Sequence, residues 1–198
     1  RVGCAQTGVL AELTREEDSD EFWARSLEEL GEVEPNYELI EMPQEKGASF
    51  ELFELIMRSI GGVRVRGWLQ VPLSEGPHSA LLRVPGYTQN MRPVPDTGGA
   101  IILSFNIRGH GNSTDDVPGR PRDFWVRGLD DKETYYYRGA YLDCVRAVDY
   151  LSSRDDVDQD RIAVWGGSQG GGLSFATASL DHRIDLCVAD IPWLCDWE

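Results

Sequence analysis

The sequence has few basic residues and no long hydrophobic run. Its 198 residues include 19 lysines and arginines against 34 aspartates and glutamates, for a formal net charge of -15. Such a charge repels phosphate backbones and anionic lipid headgroups, so we expect no nucleic-acid partner. The longest apolar stretches, around residues 100–107 and 186–194, are far shorter than the roughly 20 residues that span a bilayer. We therefore expect no membrane partner either.

Cysteine is also scarce. The four cysteines, Cys4, Cys144, Cys187 and Cys195, form no CxxC pair and are too sparse for a disulfide scaffold. Cys144 and Cys187 lie inside apolar patterns, which predicts buried free thiols. The first residue is an arginine, so a signal upstream of it stays an open possibility and the compartment is not fixed by these residues.

What is present suits one globular domain. A hydrophobic content of 41% over this length is enough for a substantial buried core, and we predict a single domain over residues 1–198.

Residues 11–30 predict an acidic amphipathic helix, an N-terminal extension of the domain. Its apolar face would hold Phe22, Trp23, Leu27 and Leu30. Residues 49–72 predict two strands joined at Gly61-Gly62 as an antiparallel hairpin.

From residue 80 onward, short apolar strands alternate with helical segments. Strand-like runs occur in residues 80–87, 100–107, 161–167 and 185–194, and the longest helical segment lies in residues 135–154. This alternation is typical of an α/β fold with a mostly parallel sheet and helices on both of its faces. Two segments rich in Gly, Pro, Asn and Asp, residues 85–98 and 108–130, begin where strands end and are predicted to be site loops.

The stretch GGSQG at residues 166–170 points to a serine nucleophile. It fits G-x-S-x-G with a strand-like run before it and a helical run after it, as in the nucleophile elbow of α/β-hydrolases. The glycines permit a sharp turn that presents the hydroxyl of Ser168 clear of the sheet. The alternative, a serine that only caps the following helix, remains open at this point.

The same fold needs two backbone donors for an oxyanion hole. The N–H of Gln169 stands at a helix start, where the helix dipole favours developing negative charge. A second donor comes from the loop after an earlier strand. Here Pro85-Gly86 turns the chain so that the N–H of Tyr87 could face the same point, although an ordinary turn with a packed tyrosine is the alternative.

Three stretches, residues 125–151, 161–173 and 188–198, carry a family resemblance that extends from about residue 20 to the end. With its YYYRG and GGSQGGG motifs, the sequence resembles the acetyl xylan esterase and cephalosporin-C deacetylase family, carbohydrate esterase family seven of the α/β-hydrolases. The resemblance implies an α/β-hydrolase fold with Ser168 as nucleophile and the amides of Tyr87 and Gln169 as the oxyanion hole.

The family resemblance also implies an activity, an oligomeric state and a location. Members are serine esterases that remove acetyl groups from small acetylated sugars, such as xylo-oligosaccharides, and from similar acetate esters, through an acetyl-enzyme. No metal or other cofactor is implied. The resemblance further implies a cytoplasmic homo-oligomer, a hexamer, with secretion left open by the uncertain N-terminus.

Two departures from the family limit this transfer. The family's Arg-Gly-Gln stretch is here Arg108-Gly109-His110, and we interpret Arg108 as structural. His110 precedes Ser168, whereas α/β-hydrolases place the histidine last, so we interpret it as a packed or hydrogen-bonded loop residue.

The family also continues for about a third of its length beyond the position of Glu198. We therefore expect a C-terminally truncated domain whose catalytic acid and histidine lie later, and we assign neither His182 nor Asp190 to a triad.

The fold and the elbow do not fix the acyl group. Another α/β-hydrolase activity, such as that of a peptidase or a broad esterase, is an alternative. A third alternative is a truncated, non-catalytic fragment that serves as a binding or assembly module.

Overall fold

The computed structural model describes residues 16–43 and 48–193. Three helices occur in these residues: α1 (Ser19–Gly31), α2 (Tyr136–Ser152) and α3 (Gln169–Leu180). The strands are β1 (Glu38–Glu41), β2 (Phe50–Arg58), β3 (Arg64–Pro72), β4 (His78–Arg83), β5 (Ile101–Asn106), β6 (Val157–Gly167) and β7 (Leu186–Asp190). Short 3₁₀ segments lie at Ile60–Gly62 and Pro121–Val126. None of these helices is long and apolar enough to cross a bilayer.

All seven strands belong to one sheet with the order β1-β2-β3-β5-β4-β6-β7. Strands β1, β2 and β3 pair antiparallel, and β3 is antiparallel to β5. From β5 through β4 and β6 to β7 the pairing is parallel. Strands β2 and β4 to β7 thus run in one direction, which confirms a mostly parallel sheet. The predicted hairpin is the β2–β3 pair, and Gly61 and Gly62 turn it at φ of 74° and 70°.

The N-terminal helix is shorter in the structure than the predicted range of 11–30. It begins at Ser19, and residues 11–15 of the predicted range lie outside the described residues. Phe22 and Leu30 are buried, and the ring of Trp23 lies 5.9 Å from that of Tyr141 in α2. The predicted apolar face therefore attaches α1 to α2.

The main hydrophobic core lies between one face of the sheet and helices α2 and α3. Alternate strand residues such as Leu82, Leu103 and Val164 are fully buried there, together with Cys144 of α2. Burial raises the pKa of the Cys144 thiol, so the thiol stays protonated. Cys144 and the half-buried Cys187 are both free, whereas Cys4 and Cys195 lie outside the described residues.

The opposite face of the sheet is covered differently from what the sequence predicts. Among the described residues no helix lies on it, and the Gly- and Pro-rich loop between β4 and β5 takes that place. Polar side chains of the sheet hold this loop. The carboxamide oxygen of Asn106 accepts from the N–H of Met91 at 2.7 Å. The carboxamide of Gln70 donates to the carbonyl of Val94 at 2.8 Å and accepts from its N–H at 2.7 Å. An irregular backbone needs such partners because it cannot satisfy its own polar groups.

Candidate active site

Ser168 stands at the corner between β6 and α3. Its φ of 55° and ψ of -117° place a residue with a side chain in a region that is strained for anything but glycine. The corner is held by backbone hydrogen bonds. The N–H of Ser168 donates to the carbonyl of Asp190 at 2.9 Å, and its own carbonyl accepts from the N–H groups of Gly171, Gly172 and Trp193. The structure therefore has the sharp elbow that the motif predicts.

The glycines around Ser168 are required by close packing. A Cβ on Gly166 would lie 2.5 Å from the backbone of Gly170, and one on Gly170 would lie 2.7 Å from the carbonyl oxygen of Val84. A Cβ on Gly171 would meet the Cα of Pro192 at 2.8 Å. Side chains at these positions would collide with the neighbouring backbone.

The structure brings both predicted oxyanion donors to this corner. Gln169 is the first residue of α3, so its N–H points out of the helix end. Within the described residues, neither this N–H nor that of Tyr87 has a hydrogen-bond acceptor. The loop of Tyr87 lies against the end of β6, since a Cβ on Gly86 would be 3.4 Å from the carbonyl of Gly167. Two unpaired amide donors beside a serine can bind the oxyanion of a tetrahedral intermediate.

A cavity of about 610 Å³ opens beside the serine. Its walls include Ser168, Tyr87, Trp165, Asn90 and Asp190. The cavity thus combines aromatic surface with hydrogen-bonding groups and exposes the elbow to a small molecule.

One residue with a role in this geometry is missed by sequence reasoning. The spacing of Tyr137 in α2 fits the apolar stripe of an ordinary packing face, and its side chain is indeed buried. Its hydroxyl, however, donates to the side-chain oxygen of Gln169 at 2.7 Å. The apolar periodicity carries no signal for this bond, and only the occurrence of Tyr137 in the YYYRG motif marks it out.

Each of the three histidines either has other hydrogen-bond partners than Ser168 or lies in another part of the fold. His78 lies between the carbonyls of Ser74 and Gly99, and His182 is exposed in the turn between α3 and β7. His110 is fully buried, with Nδ1 3.2 Å from the hydroxyl of Tyr136. Within residues 16–43 and 48–193, no histidine is hydrogen-bonded to Ser168.

The interpretation of Arg108 and His110 as structural residues is confirmed. The guanidinium of Arg108 makes a two-pronged bond to the fully buried carboxylate of Asp143, at 2.9 Å and 2.7 Å. Because the hydroxyl of Tyr136 donates to the carbonyl of Arg108, its oxygen is left to accept from His110. His110 is thus a donor at Nδ1, and its Nε2 has no partner among the described residues.

Comparison with known proteins agrees with this architecture. Residues 10–198 match the acetyl xylan esterase (AXE1) family. The acetyl esterase Axe7A of Xylanibacter ruminicola is 31% identical in an alignment of 194 positions, which covers 91% of this chain and 44% of that protein.

Two solved structures are similar throughout the shared region. Acetyl xylan esterase 1 of Thermoanaerobacterium sp. superposes with a TM-score of 0.84 at 33% identity, over 91% of this chain and 60% of that one. An acetyl xylan esterase of Paenibacillus sp. R4 gives a TM-score of 0.84 at 32% identity, over 93% and 62%. The chain spans less than two thirds of the length of each of these relatives. These matches confirm the α/β-hydrolase fold, and the chain belongs to the acetyl xylan esterase family.

Proposed function

We propose that this protein is a serine esterase that removes acetyl groups from acetylated sugars such as xylo-oligosaccharides. The observation that carries the proposal is the strained Ser168 beside the backbone N–H groups of Tyr87 and Gln169, which have no acceptor among residues 16–43 and 48–193. The names of the relatives, acetyl esterase and acetyl xylan esterase, support the acetyl group as the acyl group that is removed.

In the proposed reaction Ser168 Oγ attacks the acetyl carbonyl carbon. The oxygen of that carbonyl becomes negatively charged and is bound by the N–H groups of Tyr87 and Gln169. The bond between the carbonyl carbon and the sugar oxygen then breaks. The sugar leaves as an alcohol that has received the proton of the serine hydroxyl through the general base, and an acetyl-enzyme remains on Ser168. Water releases acetate from it.

The serine needs a general base, since a neutral hydroxyl is a weak nucleophile. Among the described residues no histidine is bonded to Ser168. In this proposal the acid and the histidine of the triad therefore come from outside the described residues. The cavity of about 610 Å³ has room for a sugar ring, and Trp165 and Asn90 offer the aromatic face and the amide that sugars contact. Homo-oligomeric assembly and a cytoplasmic location stay predictions from the family resemblance.

The test uses protein at the length of its relatives, with an aryl acetate and an acetylated xylo-oligosaccharide as substrates. Ser168→Ala should lower kcat by about 10³-fold or more, because it removes the nucleophile and leaves only binding and the oxyanion hole. The control is Ser179→Ala, at an exposed serine near the other end of α3, which should leave the rate unchanged. A fluorophosphonate probe should label Ser168.

Two results would contradict the proposal. Labelling at another serine, with Ser168→Ala still active, would remove Ser168 as the nucleophile. Equal kcat/KM values for acetate and octanoate esters would instead indicate a broad esterase.

A further inference from the structure

A single buried side chain joins the two segments that carry the oxyanion amides. The side-chain oxygen of Gln169 accepts from the hydroxyl of Tyr137 at 2.7 Å, and its side-chain nitrogen donates to the carbonyl of Pro85 at 3.3 Å. Tyr137 and Gln169 are each only 1% exposed. Pro85 precedes Tyr87 by two residues. We call this arrangement the Tyr137–Gln169–Pro85 bridge.

We propose that Tyr137 is a positioning residue for the oxyanion hole, acting through the Tyr137–Gln169–Pro85 bridge. By orienting the carboxamide of Gln169, it keeps the Tyr87 segment at a set distance from the start of α3. The inference rests on the proposed function, because the amides of Tyr87 and Gln169 are the donors whose spacing it sets.

The hydrogen-bond chemistry allows only one orientation of the Gln169 carboxamide. The carbonyl of Pro85 can only accept, so the NH₂ of Gln169 must face it. The carboxamide oxygen then faces Tyr137 and needs a donor, which the phenol supplies. Burial raises the pKa of Tyr137, so the phenol keeps its proton and remains a donor.

The two ends of the bridge are themselves held in place. Tyr137 lies in the first turn of α2, with its ring packed edge-on against Tyr136 at 5.2 Å. At the other end, the hydroxyl of Tyr87 donates to the carbonyl of Arg122. A Cβ on Gly170 would lie 3.2 Å from the carbonyl oxygen of Pro85, which shows how closely the start of α3 approaches this segment. Because Gln169 and Gly170 both contact Pro85, two residues before Tyr87, we expect a change in the bridge to move the Tyr87 amide.

The experiment compares two variants of the bridge with a matched control. Tyr137→Phe removes the phenol donor and keeps the ring. Gln169→Met keeps the backbone N–H of residue 169 and the length of the side chain but removes both side-chain bonds. The control is Tyr135→Phe, which removes a hydroxyl bond to the carbonyl of Trp125 from a neighbouring tyrosine without touching Gln169.

The first readout is independent of activity and uses the 198-residue chain. In proton–nitrogen correlation spectra, Tyr137→Phe should shift the amide signals of both Tyr87 and Gln169 and speed the hydrogen exchange of the Tyr87 amide. Tyr135→Phe should move neither signal. An unshifted Tyr87 signal in folded Tyr137→Phe would overturn the inference.

The second readout is kinetic and uses protein with Ser168-dependent turnover of an aryl acetate. Tyr137→Phe and Gln169→Met should each lower kcat by about 10- to 100-fold and leave KM within about twofold, because the oxyanion forms only in the transition state. Because both act through one bridge, the double variant should lose no more than the larger single loss.

The kinetic outcomes separate this inference from the proposed function. A raised KM with unchanged kcat, or losses that multiply in the double variant, would overturn the positioning role. An absence of Ser168-dependent turnover in the unsubstituted protein would instead defeat the proposed function, and the spectra would still decide whether Tyr137 holds the Tyr87 amide.

Discussion

At the residue scale, Ser168 holds a backbone conformation that a serine in a free peptide avoids. Its φ of 55° and ψ of -117° carry a strain of about 1–3 kcal/mol, typical of residues in sparsely populated regions. Packing at the elbow maintains this strain, and the result is a hydroxyl that faces the cavity.

We expect Ser168→Gly to increase the free energy of unfolding by about 1 kcal/mol, since glycine adopts this conformation without the penalty. Urea unfolding of both proteins measures the difference. The matched control is Ser153→Gly, at an ordinary φ of -80°, which should not stabilise the protein. A loss of stability in Ser168→Gly would show that the serine side chain itself stabilises the elbow.

A second prediction at this scale concerns pH. His110 is buried, and burial lowers its pKa below the usual value of 6.5. The unfolded chain therefore binds a proton at His110 before the folded chain does, and stability falls as pH decreases below about 6.5. In the folded state the new N–H at Nε2 would also have no acceptor among the described residues.

The test compares thermal unfolding of the unsubstituted chain with His110→Gln, which replaces the imidazole by a polar side chain that does not titrate. Between pH 7.5 and 5.5 the unsubstituted chain should lose more stability than His110→Gln. Equal pH dependence in the two proteins would show that folding does not lower the pKa of His110.

At the element scale, β6 and α3 approach each other backbone to backbone at the elbow. Gly166 and Gly170 face each other at the elbow with no space for a side chain. A Cβ on Gly167, in contrast, would have its nearest neighbouring atom at 3.9 Å. Adjacent glycines of one strand thus have opposite tolerance of a methyl group.

Gly166→Ala should therefore lower the free energy of unfolding by about 1–3 kcal/mol, the usual cost of overpacking. Gly167→Ala should change it by no more than about 0.5 kcal/mol. Denaturant unfolding of the two variants provides the comparison. If both variants were equally stable, the close approach of strand and helix would be more adaptable than the structure indicates.

At the scale of the whole molecule, β7 forms one edge of the described sheet. Leu186 and Val188 of this strand lie on the face away from α2 and α3 and are 57% and 42% exposed. An exposed apolar edge strand is a template for pairing with another chain.

We expect the 198-residue chain to self-associate through this edge, more strongly as salt screens its net charge of -15. Sedimentation should show less association for Leu186→Lys combined with Val188→Lys. Leu73→Lys, at a leucine that is 63% exposed away from the edge strand, is the control. Equal association of all three proteins would place the contact elsewhere.

Several features of the site were predictable because they depend on neighbours in sequence. The glycines at 166–170 and the strand-to-helix pattern predict the elbow, since a tight corner has local steric requirements.

The covering of the two sheet faces was predicted less well. Helices were expected on both faces, but among the described residues the loop after β4 covers one of them. Asn106 and Gln70 anchor this loop through polar bonds that no hydrophobic period reveals.

The parallel sheet and the strand-to-helix elbow at Ser168 thus follow from residue order, because hydrophobic periodicity and backbone sterics act within a few residues. The role of Tyr137 and the hydrogen-bond partners of His110 follow from tertiary structure. The Tyr137–Gln169 bond joins residues 32 positions apart, and the Gln169–Pro85 bond spans 84 positions. A phenol that fits an apolar stripe becomes a member of a polar bridge only when folding brings its partner to it, since a hydrogen bond depends on distance in space.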